Sequence, residues 1–340
     1  MTIKDVARVA NVSVATVSRV LNGHDNVTEP VRNAVLKVAN EMRYTPHAAA
    51  RSLSSRRTNT VGVVLPDLHG EFFSELIRGI DQVARERGQY ILVSSYHGHP
   101  EEQGAALRAM RGRVDGLLVM SPYVNDSGFL TENLSSSLPA VLMNTNLPNA
   151  GYVSLSIDNY GGAMEMVHHL VECGHRRIAF ITGPDDNFDA RERLRGYRDA
   201  LAKYLPGARQ WVLAGDFSEA SGHAAGSVIA ASAERPDAVF AANDMMALGC
   251  LFAFNQAGIA VPGKIALVGF DDIPLARYVH PPLTTMRVNI AELGARALSA
   301  LLDVGGEAAK QDSSFVPKLM VRASSGAGSG SGRRARADSS

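Results

Sequence analysis

A chain of 340 residues, 46% hydrophobic and 20% charged, is long enough for a sizeable α/β core with a small domain attached, and its composition excludes a fibrous or disordered protein. No apolar run approaches the length of a membrane span, and the opening MTIKDVARVA has no apolar leader core, so the expected location is the cytoplasm, away from any membrane. Its 34 basic and 34 acidic residues cancel, but unevenly: residues 1–59 hold nine Lys/Arg against four Asp/Glu, a surplus of five positive charges, which leaves the remainder five negative. A basic head on an acidic body points to a polyanionic partner for the head alone. The two cysteines, Cys173 and Cys250, are too few for a disulfide scaffold or a metal cluster and fit a reducing compartment.

In chain order, Thr2 and Asp5 have the spacing of a capping box, so a first helix starts at Ile3. Asn11-Val12-Ser13 interrupts it, and Ser13 suits the N-cap of a second helix over 14–22. In that helix Val17, Val20 and Leu21 recur at i, i+3, i+4 and make an apolar face. Val14, Ala15, Ser18, Arg19 and Asn22 lie opposite. A face of small residues with one arginine can enter a major groove, where Arg19 would grip a guanine edge through two hydrogen bonds. Ser18 and Asn22 are short donors suited to phosphates. Thr28 is placed to cap a third helix, with Pro30 in its first turn. The tight helix–turn–helix spacing, taken with the positive surplus, favours DNA binding over a three-helix bundle used for protein contacts.

Beyond residue 60, short apolar runs alternate with helical stretches. The runs are TVGVVLP (60–66), YILVSS (90–95), GLLVMS (116–121), AVLMN (140–144), RIAFITG (177–183), AVFAAN (238–243) and IALVGFD (265–271). Near-continuous apolar strands of this kind are expected to be buried on both faces of a parallel sheet built from βαβ units. The pattern occurs before and after about residue 160, which predicts two α/β lobes with a ligand cleft beyond the carboxyl ends of the strands. Residues 323–340, rich in Ser, Gly and Arg, are expected to be disordered. His169, Cys173 and His175 have zinc-like spacing, but helix packing and a turn account for them better, and the zinc reading is rejected. The GAGSGSG of the tail has no strand before it, and Pro-Gly-Lys at 262–264 lacks the rest of a phosphate loop. With no nucleophile–base pair in view, no enzyme, cofactor or metal is expected.

The stretch TIKDVARVANVSVATVSRVLNG resembles the headpiece signature of the lactose–galactose repressor family, and VTEPVRNAVLKVANEMRYTPHAAARSL continues the likeness through its third helix and hinge. NTVGVVLPD, GHRRIAFITGP, RERLRGY, ANDMMALG and VGFDDIPLARYVHPPLTTM resemble landmarks of the family's body, and several motifs look closest to the galactose-repressor branch. The resemblance covers about residues 2–322. It implies an all-α helix-turn-helix headpiece (1–46), a hinge helix and linker (47–59), and a two-lobed α/β body like the type I periplasmic binding proteins (60–322), followed by the tail (323–340). It further implies base or backbone contacts from Val14, Ala15, Thr16, Ser18, Arg19, Asn22 and Asn26. A wedge at Leu53 would enter the minor groove once the hinge folds on DNA.

In the body the resemblance implies an effector held by Asp67, Phe73, Asn144, Asp158, Asp189, Arg193, Phe217, Asn243 and Asp271. Aromatic faces with Asp, Asn and Arg suit a sugar, with a nucleobase as the alternative. Simpler roles are open for several of these: Asp67, Asp271 and Asn243 also suit helix caps, Arg193 can pair with Asp189 across a helix turn, and Asp158 can serve only to order a lobe. The expected function is that of a sequence-specific transcription regulator, a repressor controlled by a small-molecule effector. It would bind a palindromic operator as a homodimer. A transport protein of the same body fold would lack the head, and a sugar-modifying enzyme would need catalytic carboxylates that the sequence does not display.

Overall fold

The computed structural model describes residues 1–22, 26–44, 57–124, 126–134, 138–145, 152–303 and 313–326. They divide into two compact units: one comprises the N-terminal 60 residues with 113–115, and the other holds nearly all of the remainder.

The first unit contains α1 (Ile3–Val9), α2 (Val14–Leu21) and α3 (Glu29–Glu41). The capping box forms: the Asp5 Oδ2 accepts from the Thr2 N–H at 2.9 Å and from the Thr2 hydroxyl at 3.0 Å. Ser13 Oγ accepts from the Thr16 N–H at 3.1 Å and so satisfies one otherwise orphaned donor at the start of α2. Thr28 occupies the N-cap position of α3, yet its side chain makes no capping bond; Pro30 in the first turn is already without an N–H. Val6, Ala7, Val17, Val20, Val35 and Ala39 form the core of this unit, three helices contributing two residues each.

The second unit holds two six-stranded sheets. The first sheet runs β11–β5–β4–β3–β1–β2. Its strands are β1 (Thr60–Leu65), β2 (Tyr90–Ser95), β3 (Gly116–Met120), β4 (Ala140–Met143), β5 (Val153–Ile157) and β11 (Ser313–Phe315). The second sheet runs β12–β10–β9–β8–β6–β7. It comprises β6 (Ile178–Ile181), β7 (Trp211–Leu213), β8 (Ala238–Ala241), β9 (Ala266–Asp271), β10 (Thr284–Arg287) and β12 (Lys318–Met320). β12 is antiparallel to β10, whereas β6, β7, β8, β9 and β10 pair in parallel. Helices α4 (Glu71–Glu86), α5 (Pro100–Met110) and α6 (Ser127–Asn133) follow strands of the first sheet, and α7 (Asn159–Glu172), α8 (Phe188–Tyr204), α9 (Glu219–Ala231) and α10 (Asp244–Gln256) serve the second. α11 (Ile290–Leu302) packs on α4, where Gly79 lets the backbones meet: a Cβ there would lie 1.9 Å from the Ala291 carbonyl oxygen.

Four expectations need correction. YILVSS is not buried on both faces; β2 is the edge of its sheet, with Tyr90 73% and Leu92 38% exposed. The lobes do not divide cleanly at residue 160. The chain crosses between the sheets after β5, after β10 and again after β11, so α11 and β11 return to the first lobe before β12 rejoins the second. The five strands missing from the predicted set (β5, β7, β10, β11 and β12) are short, and polar or partly exposed positions interrupt them. The disordered tail cannot begin at 323, because Ala323–Ser325 forms a 3₁₀ turn with Ser324 and Ser325 buried. The Ser324 Oγ accepts from the Thr284 N–H at 2.8 Å and donates to the Leu267 carbonyl at 2.6 Å. His169 Nε2 lies 3.0 Å from the Ser325 Oγ, and His175 Nε2 lies 2.9 Å from the Ser325 carbonyl oxygen. These two histidines therefore anchor the end of the body, and no group of His, Cys, Asp and Glu suited to a metal ion occurs among the described residues.

Candidate functional site

In α2 the apolar face turns inward, with Val17 and Val20 buried, while Val14, Ala15 and Arg19 are exposed. Thr16 is half-buried and its hydroxyl lies 2.9 Å from the Ser13 Oγ. Ser18 and Asn22 are half-buried and pair with each other along the helix, the Asn22 amide donating to the Ser18 Oγ at 3.3 Å. Asn26 is exposed just before α3. The outward face therefore carries a guanidinium among small side chains, the shape and chemistry that a base edge requires. Leu53 and the hinge at 47–55 lie outside the described residues.

The second site is a cavity of about 120 Å³ in the larger unit. Most of its walls come from the carboxyl ends of strands and the turns that follow them, as the parallel topology dictates. Asp67 follows β1, and its Oδ1 accepts from the N–H groups of Leu68 (2.6 Å) and His69 (3.1 Å). Phe73, in the first turn of α4, meets Phe72 edge-to-face at 5.4 Å, and both line the cavity. Asn144 follows β4 and Asp271 ends β9; both sit at positive φ (46° and 117°), a backbone geometry costly for residues other than glycine. Phe217, at φ 72°, precedes α9, and its ring lies against Gly183, where a Cβ would come within 2.4 Å of it.

A buried polar network runs behind these walls. Arg193 on α8, 4% exposed, donates from Nε to the Asn159 Oδ1 at 2.8 Å and from Nη1 to the Ala242 carbonyl at 2.5 Å. Its Nη1 lies 3.3 Å from Asp271 Oδ1, and its guanidinium stacks 3.9 Å from the Phe270 ring centre. One turn earlier on α8, Asp189 accepts from the amides of Asn144 (2.9 Å) and Asn159 (2.8 Å). Burial pushes the Asp189 carboxyl up to about 6, with Arg193 and the two amides pulling the other way. Burial likewise raises Asp271 to about 7, opposed by Arg193 and reinforced by Asp189. Two buried acceptors facing the cavity, Asn144 Oδ1 and Asp271 Oδ1, receive no hydrogen bond.

Eight of the nine body residues named from the sequence line this cavity: Asp67, Phe73, Asn144, Asp189, Arg193, Phe217, Asn243 and Asp271. Asn243 is already committed, its Oδ1 capping α10 at the Met246 N–H (2.9 Å) and its amide donating to the Phe217 carbonyl (2.9 Å). Asp158 is a correction. It is the N-cap of α7, accepting from the Gly161 N–H at 2.8 Å, and it does not line the cavity. The adjacent Asn159 takes the inward place, because a cap residue stands outside the helix while the next side chain begins its buried face. Asn187, Tyr123 and Asp216 also line the cavity and were missed. Asn187 carried a visible signal, since it caps α8 two residues before Asp189, its Oδ1 accepting from the Ala190 N–H at 3.1 Å.

Residues 2–47 match the family model described as bacterial regulatory proteins, lacI family, and residues 167–325 match that of a periplasmic binding protein-like domain. The HTH-type transcriptional regulator GalR of Salmonella typhimurium is 36% identical over 326 residues, covering 94% of this chain and 95% of that protein. The chain belongs to the lacI family. Another member, the HTH-type transcriptional repressor PurR of Klebsiella pneumoniae, is 35% identical, covering 95% of this chain and 96% of its own. The crystal structure of the Lac repressor dimer bound to operator and the anti-inducer ONPF superimposes with a TM-score of 0.85 at 28% identity, over 96% of this chain and 99% of that one. This lacI-family chain is accordingly a helix-turn-helix transcription regulator, in a family of regulators rather than enzymes. No helix among the described residues is long and apolar enough to cross a membrane.

Proposed function

We propose that this chain is a repressor that binds a palindromic operator as a homodimer in the cytoplasm, on the nucleoid, and that a neutral sugar held in the cavity controls it. Residues 1–46 would read DNA, with Val14, Ala15 and Arg19 toward the bases and Thr16, Ser18, Asn22 and Asn26 toward bases or backbone. Residues 47–59 would link head to body, with Leu53 as the wedge. The body, 60–326, would hold the effector and the dimer contact.

The observation that carries the effector class is the polarity of the cavity. Its lining includes four carboxylates (Asp67, Asp189, Asp216 and Asp271) against the single guanidinium of Arg193, which already has three partners. Of the three buried side-chain atoms that make no hydrogen bond among the described residues, Asn144 Oδ1 and Asp271 Oδ1 are acceptors of cavity-lining residues; the third is the Thr145 hydroxyl, and Asp271 Oδ1 keeps only its ion pair with Arg193. A ligand that fits must bring donors and no negative charge, because a buried acceptor left unpaired and a carboxylate facing an anion are both costly. Hydroxyls supply the donors, and Phe72, Phe73 and Phe217 supply apolar faces for the C–H side of a sugar ring.

The test has two arms. Neutral sugars, sugar phosphates and nucleobases are screened by thermal shift, since a ligand at a hundred times its Kd adds about 2.7 kcal/mol of stability. The chain is also used to enrich duplexes from a randomised library, and the recovered operator is titrated with and without the ligand. A neutral sugar that shifts both readouts is the expected result. A response confined to sugar phosphates would overturn the charge argument, and failure to enrich any duplex would overturn the operator reading.

A further inference from the structure

The linker rejoins described structure at residues 57–60, where one carboxylate gathers the arriving backbone. Asp115 Oδ1 accepts from the Thr58 N–H at 2.8 Å and from the Thr58 hydroxyl at 2.9 Å, and its Oδ2 accepts from the Asn59 N–H at 2.7 Å. The Asp115 N–H in turn donates to the Thr60 carbonyl at 2.8 Å. Asn59 holds a left-handed backbone at φ 49°, so the chain turns sharply within this grip. Three bonds thus converge from Thr58 and Asn59 on one carboxylate, an acceptor stronger than a neutral carbonyl. Residues 113–115 belong to the same compact unit as the N-terminal 60 residues.

Asp115 immediately precedes β3, and Thr58–Asn59 immediately precede β1. These two strands pair in parallel from Val61 with Gly116 to Val64 with Val119. At their other ends come Pro66 and Asp67 after β1, and Met120, Pro122 and Tyr123 at the end of β3 and just beyond; all of these line the cavity. Two adjacent strands of five or six residues, rising about 3.3 Å per residue, thus run from the effector cavity to the carboxylate that holds the linker.

We propose that Asp115 is a positioning residue that fixes where the linker starts, so that the separation and orientation of two heads on an operator depend on it. This rests on the operator-binding reading above. With the carboxylate removed, Thr58 and Asn59 lose the bonds that fix them ahead of β1, and the point from which the linker starts is no longer set. The heads themselves are untouched, so binding to one half-site is unaffected. Binding to two half-sites at one spacing loses the advantage of a fixed geometry.

The experiment uses the full-length chain with Asp115→Asn and Asp115→Ala. Trypsin cleavage of the Arg57–Thr58 bond is followed by mass spectrometry, with cleavage sites in the body as the internal control. Affinity is then measured for the enriched operator, for its isolated half-site, and for the operator with one base pair inserted between half-sites. Cleavage after Arg57 should accelerate by about tenfold while body sites keep their rates, because local opening exposes only that segment. Operator affinity should fall by about tenfold, half-site affinity should hold, and the penalty for the inserted base pair should shrink to less than half its wild-type factor. Unchanged cleavage after Arg57 would overturn the proposal, as would accelerated cleavage with wild-type operator affinity and spacing preference. An equal fall in half-site affinity would make Asp115 a residue of general stability and would also overturn it. A wild-type chain that enriches no duplex refutes the operator reading, and the Arg57 cleavage rates then decide by themselves whether the carboxylate holds the linker.

Discussion

Asp271→Asn isolates the cost of keeping a carboxylate in the cavity wall. Asp271 is 3% exposed at the end of β9, and among the described residues its charged neighbour within ion-pair distance is Arg193 at 3.3 Å. Burial lifts its carboxyl from 3.8 to about 7, with Arg193 offsetting part of the rise and Asp189 adding to it. A shift of about three pH units corresponds to about 4 kcal/mol between protonation states. The folded chain binds this proton more tightly than the unfolded chain does. The group's contribution is therefore fully present below pH 3.8 and is lost as pH rises through about 7. An amide of the same shape does not titrate. The stability difference, variant minus wild type, should thus grow from acid to alkaline pH by about 2–4 kcal/mol, which for a body of this size is roughly 4–10 °C in the unfolding midpoint. The assay is thermal unfolding of both chains from pH 4.5 to 8.5, comparing slopes rather than absolute midpoints, so that titrating groups uncoupled from Asp271 cancel; Asp189 and Asp244, whose charges oppose its ionisation, enter the difference with it. Parallel curves across that range would refute the assignment of a buried, costly carboxylate at 271. A corollary concerns the ligand: donors that pair with the ionised Asp271 favour its charged form, so wild-type affinity for the sugar should rise from pH 5.5 to 7.5, and that rise should vanish in Asp271→Asn.

Arg193→Ala should abolish the effector response in a DNA titration. It should also lower stability by about 3–5 kcal/mol, because Asp189 and Asp271 lose the cation they share; a wild-type response midpoint would place the ligand elsewhere. Arg19→Ala should weaken binding to the enriched operator by about 1–3 kcal/mol per half-site while leaving thermal stability unchanged, since Arg19 is exposed on α2. A gel shift with equal affinity for both chains would remove its base-reading role. Deleting 327–340 should leave the unfolding midpoint within about a degree of wild type, whereas deleting 323–340 should cost several kcal/mol. The longer deletion strips Thr284, Leu267 and His169 of the buried partners that Ser324 and Ser325 provide; equal midpoints for the two truncations would contradict that anchoring role.

The sequence by itself determined the local features. A cap needs only a polar side chain a few residues before an apolar run, so the Thr2–Asp5 box, the Ser13 cap and the inward face of α2 at Val17 and Val20 were legible from spacing. The core strands were legible because β1, β3, β4, β6, β8 and β9 are buried along nearly their whole length and so read as unbroken apolar runs. Eight cavity residues were reachable because they stand in, or at positions matched alongside, motifs that resemble a known family.

Tertiary structure decided the rest, where the deciding contact is far away in the chain. That Asp158 caps while Asn159 faces Asp189 and Arg193 depends on how α7 is rotated against α8, thirty residues on. That Ser324 and Ser325 are buried, in a segment whose composition reads as disordered, depends on Leu267, Thr284 and His169, which only the folded sheet brings within reach. The grip of Asp115 on Thr58 and Asn59 spans 57 residues, and no local pattern marks it. A local signal records what a residue does to its own backbone; a buried hydrogen bond between distant segments exists only once the chain has paid the entropy of bringing them together, so it leaves no spacing in the sequence to read.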